Sequence, residues 1–226
     1  MKNYYFAISV ILFFGLSSCS NDENKTQDQV VSRPSLPIND ATEIRIGTQI
    51  WMKKNLNVDH YRNGDPIPEE GDEYNWRHLT TGAWCYYNNA SYYATTYGRL
   101  YNWYAVNDPR GLAPIGWHIP TDAEWTVLNN YLGANAGSKL KEVGNGHWAW
   151  PNTDANNRTN FTGLPGGYRN IGGGNFYYLG NVCYMWSSTA SNATSAWGRV
   201  LDYDNGDFWS SGGGKQSGQS VRCIKD

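Results

Sequence analysis

Charge is scarce in this sequence. Asp, Glu, Lys and Arg make up 17% of its 226 residues, against about 25% in an average globular domain. The formal net charge is −2, with no basic patch and no run of one sign. Nucleic acid and strongly charged partners are therefore not expected. Metal-ligand spacing is missing as well. The histidines His60, His78, His118 and His147 are scattered, and there is no CxxC or HExxH. No metal and no cofactor is assigned. Ser187 and Ser188 lie outside any GxSxG context, so a hydrolase nucleophile is unsupported. Asp202, Asp204, Asn205 and Asp207 imitate a calcium loop. The glycine that an EF-hand needs at position six falls at position five, however, and position twelve has no Glu. With no catalytic spacing, the chain is not read as an enzyme. His118 and His147 are read as structural hydrogen-bonding groups.

Long apolar runs are also lacking, with one exception. Tyr4 to Leu16 follows the basic residue Lys2 and is apolar. It is too short to span a bilayer and has the length of a signal-peptide core. It runs into Leu16-Ser17-Ser18-Cys19, which resembles the lipobox of bacterial lipoproteins. Residues 1–18 are read as a lipoprotein signal peptide and Cys19 as the lipid-attachment site. An ordinary secretory leader with an incidental cysteine is the alternative. Acyl chains would supply about 0.8 kcal/mol per buried methylene and hold the chain at the outer membrane. Residues 19–40 are polar and contain Pro34 and Pro37, as a flexible tether does. Asn21-Asp22-Glu23 resembles the surface-export signal of some such lipoproteins, and equally suits a solvated tether. Loss of Lys2 with the leader leaves 17 basic against 20 acidic residues, a charge of −3.

What the chain has in quantity is aromatic residues, 15% of the total, with 11 Trp, 17 Tyr and 25 Gly. That composition predicts a core of Trp and Tyr joined by glycine- and asparagine-rich turns. The clearest helix runs from Asp122 to Leu132. Thr121 and Glu124 form a capping box, Trp125, Leu128 and Leu132 make one apolar stripe, and Gly133 ends it. A second, shorter helix is predicted over residues 136–143, ended by Gly144. Residues 98–105 have a weaker helical pattern. Short extended stretches at 43–46 and 49–52 flank Gly47 as a hairpin. Strands are predicted over 82–87, 185–188, 196–203 and 220–224. Residues 69–79 are read as a loop or short helix. Asn205-Gly206 supplies the positive φ angles of a type I′ turn within 203–208. Residues 144–180 read as one long irregular region. The class is α+β, a small mostly antiparallel sheet with two helices and a long irregular loop region.

Several segments then carry a resemblance: GTQIWMKKNL (47–56), GRLYNWYAV (98–106), GLAPIGWHIPTDAEW (111–125), HWAWPN (147–152), FTGLPGGYR (161–169), WSST (186–189) and SVRCIKD (220–226). In this order they resemble the Fibrobacter succinogenes major paralogous domain family over residues 41–226. More distantly, IPTDAEW with the terminal VRC resembles the formylglycine-generating-enzyme group. That likeness implies a C-type-lectin-like fold whose terminal strands pair. The catalytic cysteine pair of that group has no counterpart here, so the likeness carries fold and not activity.

With Cys19 assigned to lipid, Cys85, Cys183 and Cys223 remain, and an exported chain permits disulfides. Three pairings are open. The family motif positions of WCYY and SVRC favour Cys85–Cys223, with Cys183 left as a small buried hydrophobe. The candidate ligand-binding residues are Tyr177, Tyr178, Trp209 and Trp150. Their rings sit in Gly- and Asn-rich contexts, where a flat face suits stacking on a sugar and equally suits packing onto the domain. Trp148, within a family motif, is read as core. Calcium held by Asn152, Asp154, Asn156 and Asn157 is a further option, although such side chains equally serve tight turns. The functional expectation is a cell-surface lipoprotein acting as a binding or adhesion module for glycan or protein ligands. The alternative is a structural or assembly component of a surface layer or appendage.

Overall fold

The structure, a computed structural model, describes Met1, Asn39 and residues 41–226. Residues 2–38 and 40, on which the expected leader, the expected lipid attachment at Cys19 and the expected tether fall, lie outside the described residues. Pro37–Asp226 cluster as one unit. Asn39 already belongs to it, since its carbonyl accepts from the amides of Thr42 and Glu43.

Among the described residues, eleven strands and five α-helices build this unit: β1 (Glu43–Ile46), β2 (Gln49–Met52), α1 (Glu73–Arg77), β3 (Trp84–Cys85), α2 (Ala94–Tyr97), β4 (Leu100–Tyr101), α3 (Trp103–Val106), β5 (Trp117–His118), α4 (Asp122–Leu132), α5 (Ala136–Leu140), β6 (Gly166–Arg169), β7 (Phe176–Leu179), β8 (Val182–Ala190), β9 (Ser195–Asp202), β10 (Trp209–Gly214) and β11 (Ile224–Lys225). One sheet has the order β1-β2-β11-β5, and a five-stranded sheet has the order β10-β9-β8-β6-β7. Pairing is antiparallel except for β6 on β8. The class is α+β. The last strand, β11, pairs with β2 and β5, so the start and end of the domain meet. No described helix is long and apolar enough to cross a membrane.

α4 forms where its sequence predicts. The Thr121 hydroxyl accepts from the Glu124 amide at 3.2 Å, and the Glu124 carboxylate accepts from the Thr121 amide at 2.8 Å. Its stripe of Trp125, Leu128 and Leu132 is buried. Gly133 leaves the helix with φ +68°.

Other elements depart from the sequence reading. α5 stops at Leu140, because Lys141 is extended and paired with Gly163. The strand expected over 82–87 shrinks to the two residues of β3, and residues 98–105 divide between β4 and α3. Helices number more than two, since α1, α2 and α3 add short turns. The region from 144 to 180 is not wholly irregular, for it contains β6 and β7. Asn205 and Gly206 do not make a type I′ turn, and neither has a positive φ. They lie in a longer connection from β9 to β10 that leans on α5, where the Ser138 amide donates to the Gly206 carbonyl at 3.1 Å.

The expected Cys85–Cys223 disulfide is not formed. Cys85, Cys183 and Cys223 are free and buried. Each sits in a different apolar cluster: Cys85 with Trp76 and Leu100, Cys183 with Trp148 and Phe161, Cys223 with Trp84 and Tyr101. Burial pushes each thiol up to about 12, which keeps it protonated and inert.

The core is aromatic. Trp51 stacks on Trp125 with centroids 4.5 Å apart, and Phe208 meets Trp125 edge-on at 5.7 Å. Most of the buried indoles donate to main-chain carbonyls, Trp103 to Ser187, Trp186 to Tyr101 and Trp148 to Gly163. Three cations are fully buried with them, Lys141, Arg169 and Arg222, and none has a carboxylate within ion-pair distance among the described residues. Arg169 donates to the carbonyls of Glu70, Gly71, Asp72 and Gly174 at 2.6–3.0 Å and lies 4.4 Å from the Trp76 ring. Arg222 donates to Met52, Phe161 and the Asn55 side chain and lies 4.3 Å from the Phe161 ring. Burial lowers its guanidinium to about 10, so it stays charged. A buried ion needs compensation. Here peptide dipoles and ring faces supply it, and the loops that offer the carbonyls are fixed in return.

Candidate functional site

The four aromatic candidates are all exposed, but they do not form one site. Trp209 opens β10, at one edge of the five-stranded sheet. Tyr177 and Tyr178 lie on β7, at the opposite edge. Trp150, 81% exposed, stands in a loop whose Ala149 amide donates to Gly180, just beyond β7. Trp148 is buried, as its motif suggests.

At the β10 edge Trp209 borders a hollow of about 560 Å³, lined by Asn129, Asn130, Asn135 and Asp207 among others. The C-terminus of α4 forms one wall. The start of α5 and the β9–β10 connection form the others. The three side-chain amides and the Asp207 carboxylate have no hydrogen-bond partner among the described residues, whereas Trp209 is about one-third exposed. The helix end bordering the hollow carries partial negative charge. Lys139 is spent there, its ammonium donating to Leu132 and Ala134. The hollow thus offers an aromatic face, unspent amide donors and acceptors, one carboxylate and no free cation. Sequence reading missed the three asparagines. The signal available was Asn129-Asn130 and Asn135 flanking the Gly133 helix stop.

At the other edge, Tyr168, Tyr177, Tyr178 and Tyr184 make a continuous ring surface, with centroids 5.0–6.2 Å apart. Successive side chains on a strand normally point to opposite faces. Here Tyr178 has φ +63°, so both it and Tyr177 reach Tyr168. Facing it, Gly167 also has a positive φ, and its missing Cβ admits the β7 backbone. A tyrosine held in this conformation costs on the order of 1–3 kcal/mol, and such outliers concentrate at functional positions.

His118 and His147 are tied to carboxylates. His118 Nδ1 is 2.7 Å from Asp226, and its Nε2 is 2.8 Å from Glu124. Burial works against its charge, but the two carboxylates outweigh it and raise its pKa. Both nitrogens are committed, and Ser188, which shares a small cavity with His118, makes no hydrogen bond to it. His147 Nδ1 is held by Glu142 at 2.8 Å. No group of three or more metal-ligating side chains occurs among the described residues. In the loop considered for calcium, Asn152 donates to the carbonyls of Glu142 and Gly144. Asn156 and Asn157 accept from the Arg158 and Thr162 amides. Three of those four side chains thus serve the loop's own turns.

No curated protein and no solved structure matches the chain. The family described as the Fibrobacter succinogenes major domain matches residues 44–225, which takes in both aromatic edges, His118 with Glu124, and all three buried cations. The chain belongs to the Fibrobacter succinogenes major domain family.

Proposed function

We propose that this domain is a binding module, displayed at the outer membrane on the Cys19 lipid anchor, that takes a neutral glycan in the hollow beside Trp209. The observation that carries the reading is the set of unspent groups around one aromatic face. A sugar ring presents an apolar face of C–H groups and a rim of hydroxyls. Trp209 suits the first, and Asn129, Asn130, Asn135 and Asp207 suit the second. The Asp207 carboxylate disfavours an anionic ligand. The C-type-lectin-like likeness supports the same reading.

The test is a glycan array followed by titration calorimetry on the best binder. Trp209→Ala is expected to weaken binding tenfold or more, roughly the 1.4 kcal/mol that one stacked ring contributes, with the melting temperature nearly unchanged. Binding that survives Trp209→Ala, or no binding across the array, contradicts the reading. The strained tyrosine surface favours a second reading, contact with a surface protein in an assembly, because rigid tyrosines are enriched at protein interfaces. A partner lost with Tyr178→Ala but kept with Trp209→Ala supports that one.

A further inference from the structure

Lys141 is fully buried, and its ammonium donates to three main-chain carbonyls: Thr153 at 3.0 Å, Asp202 at 2.8 Å and Asn205 at 2.8 Å. An ammonium has three N–H donors, so the match is complete. The Trp148 ring lies 5.5 Å away. Burial lowers the Lys141 pKa to about 8, against the opposing charges of Asp202, Asp154 and Asp204, so that it is still an ammonium at pH 7. Converging carbonyl oxygens are among the groups a protein offers a hard metal ion. The three carbonyls come from two separate segments. Thr153 follows Trp150 by three residues, and Asp202 and Asn205 lead into Asp207 and Trp209. The Thr153 amide also donates to the Tyr203 carbonyl at 2.8 Å, which joins the same two segments.

We infer that the Thr153, Asp202 and Asn205 carbonyls form a cation site whose resident ion is the Lys141 ammonium, and that Lys141 thereby positions the loops bearing Trp150 and Trp209. The sequence tethers the cation, so the loops are set without capture of a metal from solution. Only the consequence for glycan binding rests on the function proposed above.

The test is chemical rescue. Lys141→Ala in the full chain removes both the stem and the charge. Hydrogen exchange at 150–160 and 202–207 is expected to speed up tenfold or more, the scale on which unsatisfied buried acceptors are felt. Added propylammonium should restore the protection, and 1-propanol, which fills the same space without charge, should not. Lys141→Met keeps the packing of the stem and should leave the same two segments exposed to exchange, which covers the case of an alanine variant that does not fold. Wild-type exchange should be indifferent to calcium and to chelator. The inference is overturned if Lys141→Met protects the segments as well as lysine does, if 1-propanol rescues as well as propylammonium, or if calcium stabilises the wild-type loops. If rescue succeeds while glycan affinity never changes, the cage stands and the binding reading falls.

Discussion

Arg169, Arg222 and Lys141 carry charge into the interior without a carboxylate partner, and their carbonyl shells fix the segments around residues 52–55, 70–72, 153, 161, 174 and 202–205. Substituting Arg169 by Met would leave the Glu70 and Gly174 carbonyls unsatisfied, each costing on the order of 1–3 kcal/mol if it stays dry, while the Gly71 carbonyl keeps the Asn89 side-chain amide and the Asp72 carbonyl keeps the Trp76 amide. A fall in melting temperature on the order of ten degrees is expected, measured by thermal denaturation. A fall of only a degree or two would mean that water replaces the guanidinium. The cysteines should behave differently. Each lies in its own cluster, so Cys85→Ala and Cys223→Ala should each cost about 1 kcal/mol and add when combined. Non-additive melting shifts would restore a bond between them. None of these three cations was readable beforehand, because an Arg or Lys in a sequence signals a solvated surface. The shell that makes burial tolerable exists only after distant loops have met. The exposed rings were readable, since Tyr177, Tyr178 and Trp209 stand among Gly and Asn. Their division between two sheet edges was not, because strand order is a long-range property.

α4 was legible to the residue because a capping box and a 3,4 stripe are local. Thr121→Ala removes the hydroxyl that accepts from Glu124 and should cost about 1 kcal/mol, a fall in melting temperature of about 2–4 °C for a domain of this size. An unchanged melting curve would show that the remaining Glu124 contacts suffice. β10 was missed for the opposite reason. WSSGGG has little strand propensity, and its extended form comes from six register pairs with β9. Asn205-Gly206 misled because its chemistry fits a tight turn, while the structure uses that stretch to pack on α5. Gly137 is the residue that permits this packing, since a Cβ there would strike the Asp207 carbonyl. Gly137→Ala is therefore expected to displace the connection that ends at Trp209 and to weaken ligand binding while α4 stays folded. Circular dichroism and calorimetry check the two halves of that statement. Full affinity in this variant would contradict the docking of the connection on α5.

At the scale of the domain, β11 lies between β2 and β5 and joins its start to its end, and His118 ties the terminal Asp226 to Glu124. The Glu124 carboxyl is lowered, because hydrogen bonds from Thr121 and His118 outweigh its burial. Its contribution is present above the ordinary value of 4.5 and is lost as pH falls through its lowered folded value. His118 is raised in the folded state, so its contribution is complete below the ordinary value of 6.5 and is lost as pH rises through its higher folded value. The His118 tie is therefore strongest between those two ordinary values. The melting temperature of the wild type should decline from pH 6 to pH 8 more steeply than that of His118→Gln, and superimposable profiles would remove His118 from the pH response. Internal cations, rather than a disulfide or a bound metal, are expected to hold the irregular half of the domain. Thermal denaturation of the purified protein with and without reductant and chelator tests it most directly. The melting temperature is predicted to stay the same within about a degree. A fall of several degrees in reductant or in chelator, the scale of a lost disulfide or metal site, would contradict it.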